Sequence, residues 1–332
     1  MKMRIMVFDV PAESGGALSV LHEFYNEFKL DQDNEYFFVL SLPELKETKN
    51  IKVLRFPWVK KSWFHRLYFD YVIAPKLTIK YKVDKVVSLQ NIIIPWIKVY
   101  QSVLVHNALP FSNYRFSIKE SKLLWIYQNI IGRKIKRSVK RANHILVQTN
   151  WMKEKIIEQL CIESKKIEVK CSEIEITPKR TYLKTENSRT TFFYPASGAI
   201  FKNHKVIIEA CLKLKKDGIP GYNVIFTLSG DENEDIAKLH NTVKENQLPV
   251  EFVGTLTREE VFDFYEKSIL LFPSYIETVG LPLLEAKKTE TPVIAADCEY
   301  AHEMLEDYDK AYYFDPFSCE ALCKTVTDFL KS

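Results

Sequence analysis

Two carboxylates eight residues apart, Glu277 and Glu285, enclose a glycine and a proline in the run Pro273-Ser274-Tyr275-Ile276-Glu277-Thr278-Val279-Gly280-Leu281-Pro282-Leu283-Leu284-Glu285-Ala286. Carboxylate oxygens accept strong charge-assisted hydrogen bonds, so such a pair suits a ligand rich in hydroxyls. Upstream, Ser268-Ile269-Leu270-Leu271-Phe272-Pro273 reads as a buried strand ended by proline. Pro282 suits the first turn of a helix, where its missing N–H is no loss. Glu277 is therefore expected in a loop leaving the carboxyl end of a strand, and Glu285 inside the next helix. The amides from Val279 to Leu283 would be unpaired donors at a helix N-terminus, which favours an anion such as phosphate. One short segment thus offers an anion cradle flanked by two hydroxyl-binding acids.

Three further segments have the chemistry to join it. Glycine is scarce, nine in 332 residues, so Gly15-Gly16 after the first apolar run is informative. Glycine lets a backbone approach a ligand closely, and the helix start behind it favours anions. There is no G-x-G-x-x-G pattern there, which disfavours a nicotinamide site. Tyr194-Pro195-Ala196-Ser197-Gly198-Ala199-Ile200-Phe201-Lys202-Asn203-His204 follows a strand and opens a helix. It supplies one cation, Lys202, with Asn203 at the expected N-cap. His106 comes directly off a strand end in Val103-Leu104-Val105-His106-Asn107-Ala108-Leu109-Pro110-Phe111. A histidine there is as readily structural as ligand-binding on its own. The acidic run Asp231-Glu232-Asn233-Glu234-Asp235 lacks EF-hand spacing and reads as a solvated loop.

The string Glu277-Thr278-Val279-Gly280-Leu281-Pro282-Leu283-Leu284-Glu285-Ala286 resembles the E-x7-E signature of retaining GT-B glycosyltransferases, specifically glycosyltransferase family 4 of the bacterial surface-polysaccharide type. The resemblance implies an α/β GT-B fold, two doubly wound Rossmann-like domains facing across a cleft. It implies transfer of a sugar from a nucleotide-diphosphate sugar to a saccharide or lipid-linked saccharide acceptor, with anomeric configuration retained. Glu285 would bind ribose hydroxyls and Glu277 the sugar hydroxyls, while His106 would contact the transferred sugar; His106 and Glu277 are the implied catalytic pair. Gly15 and Gly16 would lie near the donor diphosphate and the acceptor. Lys202 and Asn203, with Thr278, Val279, Gly280 and Leu281, would hold the diphosphate. Ser197 stands where many relatives carry an arginine, which leaves one cation instead of two. Neither a cofactor nor a divalent metal is implied, because lysine and helix amides neutralise the leaving group. A degenerate partner subunit and a sugar-nucleotide epimerase of the same fold remain alternatives.

The elements that must place these residues follow from pattern. At 332 residues the chain exceeds the size of one core, so two domains are expected. Strand patterns at Arg4–Phe8, Tyr36–Leu40, Lys52–Phe56, Lys85–Ser88, Ser102–Val105, His144–Gln148, Phe192–Tyr194, Asn223–Ser229, Val250–Val253, Ile269–Phe272 and Pro292–Ala295 alternate with helix patterns, which argues for parallel sheets. The helices are expected over Ala17–Lys29, Trp63–Lys80, Lys119–Arg141, His204–Lys216, Glu234–Glu245, Arg258–Lys267, Pro282–Lys287 and Cys319–Leu330. The polar stretch Thr177–Thr190 separates two such series, giving domains over 1–172 and 173–332, which the resemblance implies to be the acceptor-binding and the nucleotide-sugar domain. From Arg55 to Lys170 there are 23 Lys and Arg against 7 Asp and Glu; the rest of the chain carries 24 against 36. Six basic residues fall within Arg133–Arg141, and Trp58–Phe69 interleaves aromatic with basic residues. That composition suits an anionic membrane surface, where aromatic rings seat among headgroups. It would also suit a solvated helix face or nucleic acid; a membrane, with no nucleic acid partner, is the expectation taken. No stretch is long and apolar enough to span a bilayer, and the N-terminus reads as a strand and not a signal peptide. Six cysteines without paired spacing fit a reducing cytoplasm, so a cytoplasmic protein, peripheral at the inner face of the membrane, is expected.

Overall fold

The computed structural model describes residues 2–13, 15–171 and 180–331, and the chain divides into two compact units, Met1–Glu173 and Ile174–Ser332. The first runs β1 (Arg4–Asp9), α1 (Gly15–Leu30), β2 (Glu35–Leu40), β3 (Ile51–Arg55), α2 (Trp63–Tyr68), α3 (Ala74–Lys80), β4 (Lys85–Ser88) and β5 (Tyr100–Val105). It continues through α4 (Lys122–Ile126), α5 (Gly132–Arg141), β6 (His144–Val147), α6 (Asn150–Leu160) and β7 (Ile167–Val169). Its strands form one parallel sheet in the order β3-β2-β1-β4-β5-β6-β7. Residues of alternate parity on β1 serve opposite faces, as strand geometry requires. Ile5 and Val7 pack with Leu21 and Phe24 of α1, while Met6 and Phe8 pack with Phe69 and Leu77 of the α2–α3 run.

The second unit runs α7 (Glu186–Thr190), β8 (Thr191–Tyr194), α8 (His204–Lys216), β9 (Asn223–Phe226), α9 (Glu234–Glu245), β10 (Val250–Phe252) and α10 (Arg258–Lys267). Then come β11 (Ile269–Phe272), α11 (Leu281–Lys288), β12 (Val293–Ala296), α12 (Glu299–Met304), β13 (Ala311–Phe314) and α13 (Cys319–Lys331). The sheet order is β10-β9-β8-β11-β12-β13, again parallel throughout. Central strands covered on both faces are apolar end to end. Every residue of β8, β11 and β12 is buried. Strand order reverses between β1 and β4 in the first sheet and between β8 and β11 in the second. Ligands of open α/β sheets bind beyond the carboxyl ends of strands at such reversals.

Several expectations need correction. The boundary expected at 172/173 lies outside the described residues, as do 177–179 of the expected linker. The rest of that stretch is no free linker. Tyr182 N–H donates to Thr289 O at 2.7 Å, Leu183 N–H donates to Glu266 O at 2.8 Å, and α7 opens with a Thr185/Ser188 capping box. The polar side chains mislead because they serve caps and turns instead of solvating a spacer. The long helices expected over Trp63–Lys80 and Lys119–Arg141 are each interrupted by a π-helical turn, Phe69–Ile73 and Tyr127–Ile131. α6, β7, α12 and β13 have no counterpart among the elements expected from sequence.

Candidate functional site

In the second unit, β8 and β11 are neighbours, so the loops that leave their carboxyl ends run side by side. Tyr275 N–H donates to Phe201 O at 3.1 Å and ties the two loops together. Lys202 and Glu277, one from each loop, form an ion pair whose side chains are only 19% and 15% exposed. Ser274 Oγ donates to the same Glu277 oxygen, Oε1, at 2.8 Å, and also reaches Phe201 O at 3.2 Å. The backbone behind Lys202 is fixed too, since the buried Tyr194 hydroxyl donates to Lys202 O at 2.7 Å. The pair thus sits at the point where the sheet reverses, as a cation and an anion held in place from behind.

Asn203 does not cap α8 as expected. It takes a left-handed conformation at φ 61°, makes no side-chain cap bond, and donates through Nδ2 to Pro316 O at 2.7 Å and, more weakly, to Pro273 O at 3.4 Å. Its side chain therefore ties the Lys202 loop to the segments after β11 and β13. His204, next in line, is buried between Tyr194 and Phe226. Burial, reinforced by the charge of Lys202, pushes its imidazole down to about 3, so it stays neutral beside that lysine. Gly198 is required by packing. A Cβ there would meet Ile236 Cγ1 at 2.8 Å and Asn233 Nδ2 at 3.0 Å. Ser197, in the place of the arginine, is exposed.

Glu285 lies on α11 as expected, with its side chain 13% exposed. Two residues that the sequence analysis missed surround it. The fully buried Tyr265 donates its hydroxyl to Glu285 Oε2 at 3.0 Å, and Arg258 Nη2 stands 3.5 Å from Glu285 Oε1. Burial raises the Glu285 carboxyl above its ordinary range, opposed by the Tyr265 hydroxyl and the Arg258 charge. Tyr265 and Arg258 belong to α10, twenty or more residues upstream, and nothing in their local pattern marks them. Between the acids, Gly280 precedes α11 at φ 74°, and a Cβ would meet Tyr300 Cε2 at 3.1 Å. The expected amide cradle is shorter than the sequence suggests. Pro282 has no N–H, and the Leu283 amide donates to Gly280 O at 2.8 Å. Val279, Gly280 and Leu281 remain of the span Val279–Leu283, with Thr278 half-buried just before them.

In the first unit, Gly15 and Gly16 open α1 beyond β1, and both are exposed. Gly15 has φ 60°, a conformation that favours glycine. Gly16 does not, and no heavy atom lies within 4 Å of a Cβ added at either position. Nothing in the described fold explains why residue 16 lacks a side chain. His106 follows β5, with its N–H donating to Asn91 Oδ1 at 2.9 Å. Burial pushes its imidazole down to about 4 despite a hydrogen bond to the Leu89 backbone, so the ring is neutral at physiological pH. The loop after it is pinned by a residue that sequence reasoning passed over. Gln128, on the second π-turn, accepts from Phe116 N–H at 2.9 Å and donates to Tyr114 O at 2.8 Å and Leu109 O at 3.2 Å.

The basic stretch of the first unit divides by face. Lys134 pairs with Asp70 at 3.1 Å and Lys136 donates to Gln159 at 2.8 Å, while Arg133, Arg137, Lys140 and Arg141 are all exposed. Of the aromatic stretch, Trp58 packs against His65, Tyr68 and Phe69, whereas Trp63 is 62% and Phe64 82% exposed. Leu123 and Ile130 are exposed on the α4 run as well. Among the described residues no helix is long and apolar enough to cross a membrane, and no group of three or more His, Cys, Asp or Glu is placed to hold a metal ion.

Residues 177–332 match the family model for glycosyl transferases group 1. The chain is 26% identical over 251 residues to the O-antigen chain mannosyltransferase RfbU of Salmonella typhimurium, a match covering 75% of this chain and 65% of that protein. The chain therefore aligns with less than two thirds of that relative's length. Among solved structures it is similar to the lipopolysaccharide outer core galactosyltransferase WaaB (TM-score 0.71, 15% identity, 99% of this chain and 90% of that one). It is also similar to the sucrose-phosphate synthase of Thermosynechococcus elongatus (TM-score 0.72, 13% identity, 100% and 90%). At such identities these likenesses establish the fold alone. The second unit thus matches a glycosyltransferase group 1 domain over residues 177–332, and the two parallel-sheet α/β units have the GT-B fold.

Proposed function

We propose that the chain is a retaining glycosyltransferase of family 4 that moves a hexose from a nucleotide-diphosphate sugar to a saccharide or lipid-linked saccharide acceptor in surface-polysaccharide or glycolipid synthesis. The observation that carries this is the Lys202–Glu277 pair at the reversal of the second sheet, with Glu285 held by Tyr265 on the next helix. Breaking the bond from the anomeric carbon to the diphosphate puts growing negative charge on the leaving group, and preorganised donors aimed at that charge are the largest catalytic lever. Lys202 and the amides of Val279 to Leu281 would supply it. A diphosphate sharing Lys202 would loosen its hold on Glu277, leaving that carboxylate to the sugar hydroxyls, while Glu285 would accept from the ribose hydroxyls. In the first unit, a neutral His106 would contact the transferred sugar and the open space over Gly16 would admit a ligand. Same-face attack, with the departing phosphate taking the acceptor's proton, would retain configuration.

The activity of the relative RfbU, an O-antigen chain mannosyltransferase, supports the acceptor class. We further propose contact with an anionic membrane surface at the inner face, through Trp63, Phe64 and the basic residues Arg133, Arg137, Lys140 and Arg141 of α5. Each exposed basic residue near such a surface contributes on the order of 1 kcal/mol. Incubation with a panel of nucleotide sugars should give slow hydrolysis or transfer with at least one, abolished by Glu285→Ala and by Lys202→Ala. Full activity in both variants would defeat the assignment. Sedimentation with anionic vesicles at low salt checks the membrane contact, which neutralising Arg133, Arg137, Lys140 and Arg141 should abolish.

A further inference from the structure

The first unit buries a carboxylic acid to which the proposed transfer assigns no contact with donor or acceptor. Asp9 ends β1 and is 2% exposed, at the reversal between β1 and β4. Its carboxyl accepts from the Ala12 amide and faces Arg66 of α2 and Lys60 of the 3-10 turn Pro57–Lys61. Both cations have other duties. Lys60 Nζ donates to Pro11 O at 3.1 Å and pairs with Glu13 Oε1 at 2.6 Å. Arg66 Nε pairs with Asp70 Oδ1 at 2.8 Å, and its Nη2 donates to Gln90 Oε1 at 3.0 Å. Asp70, itself 2% exposed on the first π-turn, is shared with Lys134. Ser41 Oγ fixes Val10 O at 2.7 Å. Residues 10–13 are therefore tied by one hydroxyl, one lysine and one acid, and they lead toward Gly15 and Gly16.

We propose that Asp9 is a positioning residue whose carboxyl group sets the course of this loop, holding it when the acid is neutral and loosening it when the acid is charged. The bearing on catalysis rests on the function proposed above; the bearing on the loop does not. Burial raises the Asp9 carboxyl to about 8, opposed by the Ala12 amide and then by Arg66 and Lys60. Below that pH the neutral acid needs no counter-ion, and Lys60 stays on Pro11 and Glu13. Above it, a buried carboxylate competes with Glu13 for Lys60 and with Asp70 for Arg66, because an unpaired buried charge is costly. The proton leaves to solvent. Pulling Lys60 toward Asp9 unties the Pro11 carbonyl.

Amide exchange of the whole chain, with protection corrected for the intrinsic pH dependence of exchange, reads the loop directly. Protection of the peptide spanning residues 10–16 should fall at least about five-fold between about pH 7 and pH 9 in the wild type, as local opening becomes easier. Asp9→Asn, which keeps an oxygen for the Ala12 amide but cannot ionise, should show no such fall. Lys60→Met, which removes a cation that favours the charged acid, should move the midpoint to higher pH and serves if Asp9→Asn fails to fold. Protection that is flat in the wild type, the same fall in Asp9→Asn, or an unmoved midpoint in Lys60→Met would overturn the proposal. Turnover measured in parallel separates the two readings. The expected exchange behaviour with no turnover from any donor would refute the transferase alone. Turnover that declines above about pH 8 in the wild type and in Asp9→Asn alike would remove Asp9 from the catalytic account.

Discussion

Lys202→Met keeps the aliphatic stem of the lysine and removes only the charge, so it isolates what the ammonium does. Glu277 would then remain largely buried, its side chain 15% exposed, with the Ser274 hydroxyl still donating to it at 2.8 Å. Removing one member of a fully buried pair costs about 3–5 kcal/mol, because the other charge is stranded. An exposed pair is worth about 0–1 kcal/mol. With most but not all of the surface removed and one hydroxyl left, a loss of about 2–3 kcal/mol is expected. Glu277→Gln strands a lysine that can swing toward water, and about 1 kcal/mol is expected. The double variant should recover about 1–2 kcal/mol relative to the sum of the two, since neither charge is then left alone. Urea unfolding of the four proteins measures this cycle. Turnover should fall about 100- to 1,000-fold in Lys202→Met, the usual loss for one preorganised donor at a developing charge. Strict additivity in the cycle together with wild-type turnover would overturn this reasoning, by making the pair a surface contact with no ligand to serve.

Gly16→Ala should fold at least as well as the wild type, gaining up to about 0.5–1 kcal/mol because a helical glycine is replaced where nothing opposes a Cβ. Its donor turnover should nevertheless drop, and an unaffected turnover would remove Gly16 from the site. Gly198→Ala gives the opposite pattern, with a stability loss of about 1–3 kcal/mol from contact with Ile236 and Asn233, read as a lower unfolding midpoint. Tyr265→Phe tests Glu285. Hydroxyl binding by that carboxylate is present above its pKa and lost as pH falls through it, and Tyr265 holds the pKa down against burial. The acid limb of the donor-affinity profile should therefore move to higher pH in Tyr265→Phe; an unmoved limb would show that Glu285 does not bind the donor as a carboxylate.

Much of the second unit is legible in the sequence because its local signals agree. Ile269–Phe272 is an unbroken apolar run, and α8, α9 and α10 begin and end at the residues their periodicity suggests. The strands that escape notice are β7 and β13, both at sheet edges and only partly covered: β7 is three residues interrupted by Glu168, and β13 is a four-residue run, Ala311-Tyr312-Tyr313-Phe314, with only Phe314 buried. α12 has six residues, too few for a helical period to show. The π-turns are invisible to any 3.6-residue pattern, yet they place Asp70 and Gln128. Lys202, Glu277 and Glu285 stand out because glycine, proline and acid fall at fixed spacing around a strand end. Tyr265, Arg258 and Asp9 do not, since burial and a partner far along the chain give them their character. Asn203 lies at the expected turn but does different work there, because its left-handed backbone turns the side chain away from the helix start.

Calorimetric titration of the whole chain with a set of nucleoside diphosphates and their sugars asks most directly whether the loops after β8 and β11 hold a nucleoside diphosphate. Saturable binding of at least one is expected, weakened by about 1.5–3 kcal/mol in Lys202→Met, the worth of a hydrogen bond to a charged group. The same weakening is expected in Glu285→Ala for the nucleoside diphosphate without its sugar. Absence of binding across the set, or binding of equal strength in wild type and both variants, would contradict a donor site at these loops.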